Sequence, residues 1–162
     1  MTYTFSPAYD PYDQQVVRLD RKLFSLLREE RWDEARQAAE KLVKLSRLDI
    51  RGHIFLDLIN RRLGEEKRAD YHRELARGLL DSIFASGDGR SSATALKVIS
   101  PREEEAVCLV LGLEKEEQVL DAVDGRMIDR AICVDPETGN KTTLFFDITI
   151  PYQWAREKLT DE

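Results

Sequence analysis

The residues best suited to chemistry in this sequence fall in three places, two of them wholly in its second half. Gly87-Asp88-Gly89-Arg90-Ser91-Ser92 pairs two glycines, which let a backbone approach an anion closely, with an arginine that can neutralise it. The motif lacks the Lys-Ser/Thr ending of a phosphate-cradling loop, and no helix obviously starts behind it. It reads equally as a turn in which Gly87 caps a helix and Asp88 bonds its own backbone. Asp129, Arg130 and Asp147 interrupt apolar strand-like stretches. They suit a cleft in which a carboxylate moves a proton and Arg130 clamps an anion, or a simple pairing of Arg130 with a carboxylate across a sheet. Cys108 with His53 or His72 offers a nucleophile and a base, but Cys108 lies inside Ala106-Val107-Cys108-Leu109-Val110, where a packed thiol is expected. No catalytic residue is assigned. The candidate ligand-binding set is Asp88, Arg90, Ser91, Asp129, Arg130 and Asp147. Two cysteines and two scattered histidines give no metal-ligand spacing, and no cofactor motif is present, so neither metal nor cofactor is expected.

The elements that must position these residues are legible in the periodicity. Ala35 and Ala69 stand 34 residues apart, each inside a charged helical stretch, and that interval is the period of the tetratricopeptide repeat. Asp10-Pro11-Tyr12-Asp13 opens a first helix, with Asp10 as acceptor for an orphan amide, and Val16, Leu19, Leu23, Phe24, Leu26 and Leu27 form its apolar face to about Glu29. A second helix is predicted from about Trp32 to Arg47, a third from about Ile50 to Leu63 and a fourth from about Glu66 to Ala85. Trp32, Ala35, Ala39, Leu42 and Leu45 face inward on the second, Ile54, Phe55, Leu58 and Ile59 on the third, and His72 sits on the apolar face of the fourth. Gly64 supplies the break between the last two.

After residue 86 the texture changes. A short strand is expected over Ala95 to Ile99, followed by a helix entered through Ser100-Pro101-Arg102-Glu103, where Ser100 and Glu103 stand at capping-box spacing. Three strands follow, about Gln118–Val123, Met127–Val134 and Thr142–Ile150, turned by Asp124-Gly125 and by Asp135 to Asn140. Pro151 is expected to end the last strand, and a tail helix carrying Tyr152, Trp154 and Leu159 to close the chain. Glu103-Glu104-Glu105 and Glu114-Lys115-Glu116-Glu117 read as solvated acidic runs, or as a patch for a basic partner. The resulting expectation is one α+β domain over residues 1–162: tetratricopeptide-like antiparallel helix pairs over 10–86, capped by a small, mainly antiparallel sheet in an α+β half over 87–162.

Ser86-Gly87-Asp88-Gly89-Arg90-Ser91, the spaced Ala95 and Val98-Ile99-Ser100, and Leu144-Phe145-Phe146-Asp147-Ile148-Thr149-Ile150-Pro151 carry a further signal. With the opening Tyr9-Asp10-Pro11-Tyr12-Asp13, they resemble an uncharacterised bacterial domain-of-unknown-function family that joins tetratricopeptide-like helices to a small β-rich region. Many of its members begin with an export signal; residues 1–13 here show no basic start and no apolar run of signal length. The resemblance implies no activity, cofactor or catalytic residue.

Charge narrows the partners. The net charge of −6 divides unevenly: residues 1–80 hold 16 Lys and Arg against 14 Asp and Glu, and residues 81–162 hold 9 against 17. The acidic second half disfavours a phosphate track, and the alternating signs of the first half are those of a solvated helix face. No stretch reaches membrane-spanning length. The expectation is a cytoplasmic protein with a protein partner and with neither nucleic acid nor membrane as one. Three functions stay open: a non-catalytic interaction module, an immunity-type inhibitor of a toxin, and a small-ligand binder or enzyme using the Gly87–Ser92 loop.

Overall fold

The computed structural model describes residues 9–160. Four helices, α1 (Gln14–Arg28), α2 (Trp32–Leu45), α3 (Ile50–Arg62) and α4 (Glu66–Phe84), precede a four-stranded sheet with one helix inserted and one appended. The strands are β1 (Leu96–Lys97), β2 (Glu114–Val123), β3 (Arg126–Val134) and β4 (Lys141–Asp147); α5 (Pro101–Val110) joins β1 to β2, and α6 (Thr149–Thr160) follows β4. Strand order is β1-β4-β3-β2, with β1 parallel to β4 and the other pairs antiparallel. The chain is therefore α+β, its helical pairs leading and a mainly antiparallel sheet following.

Each helix begins and ends where local chemistry dictates. The carboxylate of Asp13, not Asp10, caps α1 by accepting the Gln15 amide at 2.7 Å; Asp10 instead accepts the Tyr12 amide and shapes the preceding turn. Asp49 caps α3 through the Gly52 amide at 2.7 Å. Gly64 ends α3 with φ +76°, as its lack of a Cβ permits. Close approach of α2 to α3 depends on small residues. Ala35, Ala38 and Ala39 are buried, and a Cβ on Gly52 would lie 2.7 Å from the Leu42 and Val43 side chains. Around them Leu23, Leu26, Phe55, Leu56 and Ile59 make a core confined to the helical half. Leu45 and Leu58, expected inside, are instead half exposed, because each sits at the margin of its helix's apolar stripe.

A second core joins the halves. Ile50 of α3 and Ala76 and Ile83 of α4 pack with Leu96, Val98, Ala106, Val107, Leu144 and Phe146. The sheet and α5 thus cover the apolar side that α3 and α4 leave open, and burial of aliphatic area there is the main force holding the halves together.

Two strand expectations need correction. β4 stops at Asp147, and Thr149–Pro151 begin α6: proline is tolerated in a first helical turn, where its missing N–H has no partner to lose. β2 starts at Glu114, so the acidic run Glu114–Glu117 is a sheet edge rather than a loop, with a register shift between Lys115 and Glu117. At the β2–β3 hairpin both Asp124 (φ 49°) and Gly125 (φ 76°) take left-handed backbone, the geometry a two-residue turn requires.

Candidate functional site

The six sequence-derived candidates do not converge. Asp88 accepts the Arg90 amide at 3.0 Å and the Thr94 hydroxyl at 2.5 Å, and these bonds, the hydroxyl first, hold its carboxyl below the ordinary aspartate range. Ser91 caps the 3-10 turn Ser92–Thr94, and Arg90 is exposed. The loop's work is backbone pairing. The Gly89 amide donates to the Thr94 carbonyl, the Gly89 carbonyl accepts the Phe145 amide, and a Cβ on Gly87 would stand 2.2 Å from the Thr94 oxygen. It is a strap along the β4 backbone.

Asp129 and Arg130 are consecutive on β3 and therefore face opposite sides of the sheet. Arg130 pairs diagonally with Asp121 at 3.5 Å. Asp129, 2% exposed, faces α5; Lys115 of β2 lies 3.8 Å away, and one Asp129 carboxylate oxygen has no hydrogen-bond partner. Asp147 accepts the amide and hydroxyl of Thr149, which starts α6, with Arg126 3.7 Å away. The thiols of Cys108 and Cys133 lie 3.8 Å apart, and burial pushes Cys108 up to about 12. The histidines are elsewhere: Nδ1 of His53 on α3 meets Nδ1 of His72 on α4 at 2.9 Å. Among the described residues no cluster of three or more metal-ligating side chains occurs.

What the structure does assemble is a cleft of about 660 Å³ where the two halves meet. None of the six candidates lines it. Its walls come from the lead-in and first turn of α1 (Val16, Val17), the α2–α3 connection (Leu45, Leu48, Ile50) and the second half (Ile99, Ile150). Leu45 and Leu48 are 49% and 53% exposed, a large apolar surface left open at one mouth. Lys44 and Arg47 line it from the end of α2 and the α2–α3 connection, and Asp10 and Asp13 from the α1 lead-in.

Beneath the cleft runs a buried ion network that pins α5 to the helical half. The Arg102 guanidinium engages both Asp49 oxygens, one at 3.0 Å, and reaches Asp20 at 3.1 Å; Arg51 reaches Asp20 at 3.3 Å and Glu105. Arg51 also lies over the Phe24 ring at 5.0 Å. A planar guanidinium suits this role because its fixed fork of donors satisfies two carboxylates at once. Asp49 thereby caps α3 and anchors α5 with one side chain.

Glu103 is the exception. It is 8% exposed and accepts one hydrogen bond, from the Ile99 amide at 2.7 Å; the Ser100 hydroxyl makes no cap bond, so the expected reciprocal box is half formed and displaced by one residue. No cation among the described residues pairs with Glu103. Burial first, then the Asp49 carboxylate, pushes it up to about 7. Beside it the Tyr9 hydroxyl donates to the Ile99 carbonyl, its own ionisation raised by burial and by Glu103. Glu104, the next residue, is 3% exposed and bonds Lys115 at 2.9 Å on the far side of α5. Glu103–Glu105 is thus no solvated run: two of its three carboxylates are buried.

Sequence reasoning missed Asp20, Asp49, Arg51, Arg102 and Glu103. One signal was available. Asp20 lies four residues after Val16 and three before Leu23, on the apolar stripe of α1, and a charge in that position needs a buried partner. No curated protein and no solved structure matches the chain. The model of the family described as "Domain of unknown function (DUF4919)" matches residues 1–155, and the chain belongs to that family.

Proposed function

We propose that this protein is a non-catalytic recognition module, and that its binding surface is the cleft between the α1 lead-in, the α2–α3 connection and the start of α5. The single supporting observation is the cleft itself. It has the volume of a ligand site, aliphatic walls, and two leucines standing half exposed at its mouth. A segment of a partner protein carrying apolar side chains is the natural occupant, since covering Leu45 and Leu48 would remove apolar area from water. The reading treats α1–α4 as a tetratricopeptide-like scaffold in a cytoplasmic bacterial protein. Arg102 in the cleft wall and Arg51 beneath it already hold carboxylates, which favours binding over proton transfer.

The test is site-directed cross-linking in cells. A photoreactive residue in place of Leu48 should trap one defined protein, and the same residue in place of the exposed Thr142 should not. Leu45→Asp, introduced beside the photoreactive residue at position 48, should abolish that adduct while leaving the melting temperature within a degree or two, because the Leu45 side chain is already half in water. Equal trapping at Leu48 and Thr142 would remove the reading.

A further inference from the structure

Resting on that reading of the cleft, we infer that its occupant is a peptide segment that seats one lysine or arginine side chain against Glu103, with aliphatic residues to either side. The argument is one of unbalanced charge. Every charged side chain facing this floor can be named. Arg102 is neutralised by Asp49 and Asp20. Asp13 is committed to its helix cap and Asp10 to the Tyr12 amide. Lys44 and Arg47 line the cleft from the end of α2 and the α2–α3 connection and are exposed. Tyr9 contributes a hydroxyl turned to the Ile99 carbonyl, and α6 contributes only Ile150. Among the described residues, that leaves Glu103 as a carboxyl taken out of water with one amide donor and no counter-charge.

A buried carboxylate without a cation is unfavourable, and the protein relieves it by holding a proton to about pH 7. A ligand cation would relieve it instead, forming a charge-assisted bond in a site from which the ligand's own aliphatic flanks exclude water. Val16, Val17, Ile99 and Ile150 receive those flanks, and the stem of a lysine or arginine is itself apolar. Lys44 and Arg47, which also line the cleft, disfavour a second cation beside them.

Because the bond needs the ionised form of Glu103, affinity should rise with pH through about 7. The ionised fraction of such a group grows about tenfold between pH 6 and pH 8, and affinity should follow it. Glu103→Gln is the informative variant: its amide oxygen can still accept the Ile99 N–H, so the helix entry is kept while the charge is lost.

The experiment passes a randomised, acetylated octapeptide pool over the immobilised full chain at pH 8 and pH 6 and sequences what is retained. The expected result is enrichment of one lysine or arginine between aliphatic residues, about tenfold stronger at pH 8, with the cation preference and the pH effect both absent in Glu103→Gln. Enrichment of aliphatics without a cation would overturn the inference and leave the cleft as a recognition surface. No enrichment at all would overturn both. Displacement of the retained peptides by hexylamine at equal concentration would put a small amine in the cleft in place of a peptide.

Discussion

Two buried charge clusters flank α5, and they are built on opposite logic. Toward the helical half, Arg102 and Arg51 share Asp20, Asp49 and Glu105 in a network that crosses between elements far apart in sequence. Toward the sheet, Lys115 alone faces Glu104 at 2.9 Å and Asp129 at 3.8 Å, and one Asp129 oxygen goes unpaired. Burial pushes Glu104 up, against the pull of Lys115. A guanidinium fork can satisfy two carboxylates; an ammonium is a point charge, and the second carboxylate is better served by sharing a proton. The first cluster therefore resembles a fixed clamp, and the second a group whose balance depends on pH.

The sharpest way to break this contrast is to remove each cation. Arg102→Met strands Asp49 and part of Asp20 in the interior and should lower stability by about 3–5 kcal/mol in urea melts. Lys115→Met should cost about 2 kcal/mol at pH 8, with the deficit shrinking toward pH 5 as the stranded Glu104 carboxyl takes up a proton instead. Equal losses at both pH values for Lys115→Met would erase the distinction between clamp and titrating group.

The wild-type chain should itself be less stable at pH 8 than at pH 5. Glu103 keeps its proton to about pH 7 in the fold but loses it in the ordinary carboxylate range when unfolded, and Glu104 is shifted in the same direction. For a group raised in this way the native state binds more protons across that window. The stability it contributes is complete below the unfolded value and lost as pH climbs through about 7. A decline of about 2 kcal/mol, flattened in the Glu103→Gln, Glu104→Gln double variant, is expected from denaturant midpoints at a series of pH values.

Away from α5 the expected effects diminish. Gly87→Ala should cost about 1–3 kcal/mol, since its Cβ would collide with the Thr94 carbonyl and loosen the strap on β4. Arg130→Ala, which removes a half-exposed pair with Asp121, should stay within about 0.5 kcal/mol.

Much of the architecture was readable from residue spacing. The four leading helices begin within a few residues of where their apolar periods place them, because amphipathic helices advertise a 3.6-residue repeat. The resemblance carried by the Gly87 loop and the Leu144–Pro151 segment pointed to the family whose model matches the chain. The strand-to-helix switch at Asp147–Pro151 was not readable, since Ile148-Thr149-Ile150 alternates like a strand and only tertiary packing decides. The cleft was hidden for a different reason. Its parts come from residues near 10, 48, 100 and 150, and no local pattern reports a meeting of four distant segments. Glu103 was concealed by its neighbours: three consecutive glutamates look solvated until the helix turns two of them inward.

The sheet's outer boundary carries one more consequence. While Gly89 occupies the backbone beside β4, the far side of β2 ends in unsatisfied amides and carbonyls over ten residues. A second copy recruited along that margin would meet Glu114 and Glu117, while Glu116 is held by Lys141 at 2.6 Å, and repulsion between like glutamates discourages polymer growth without any covering element.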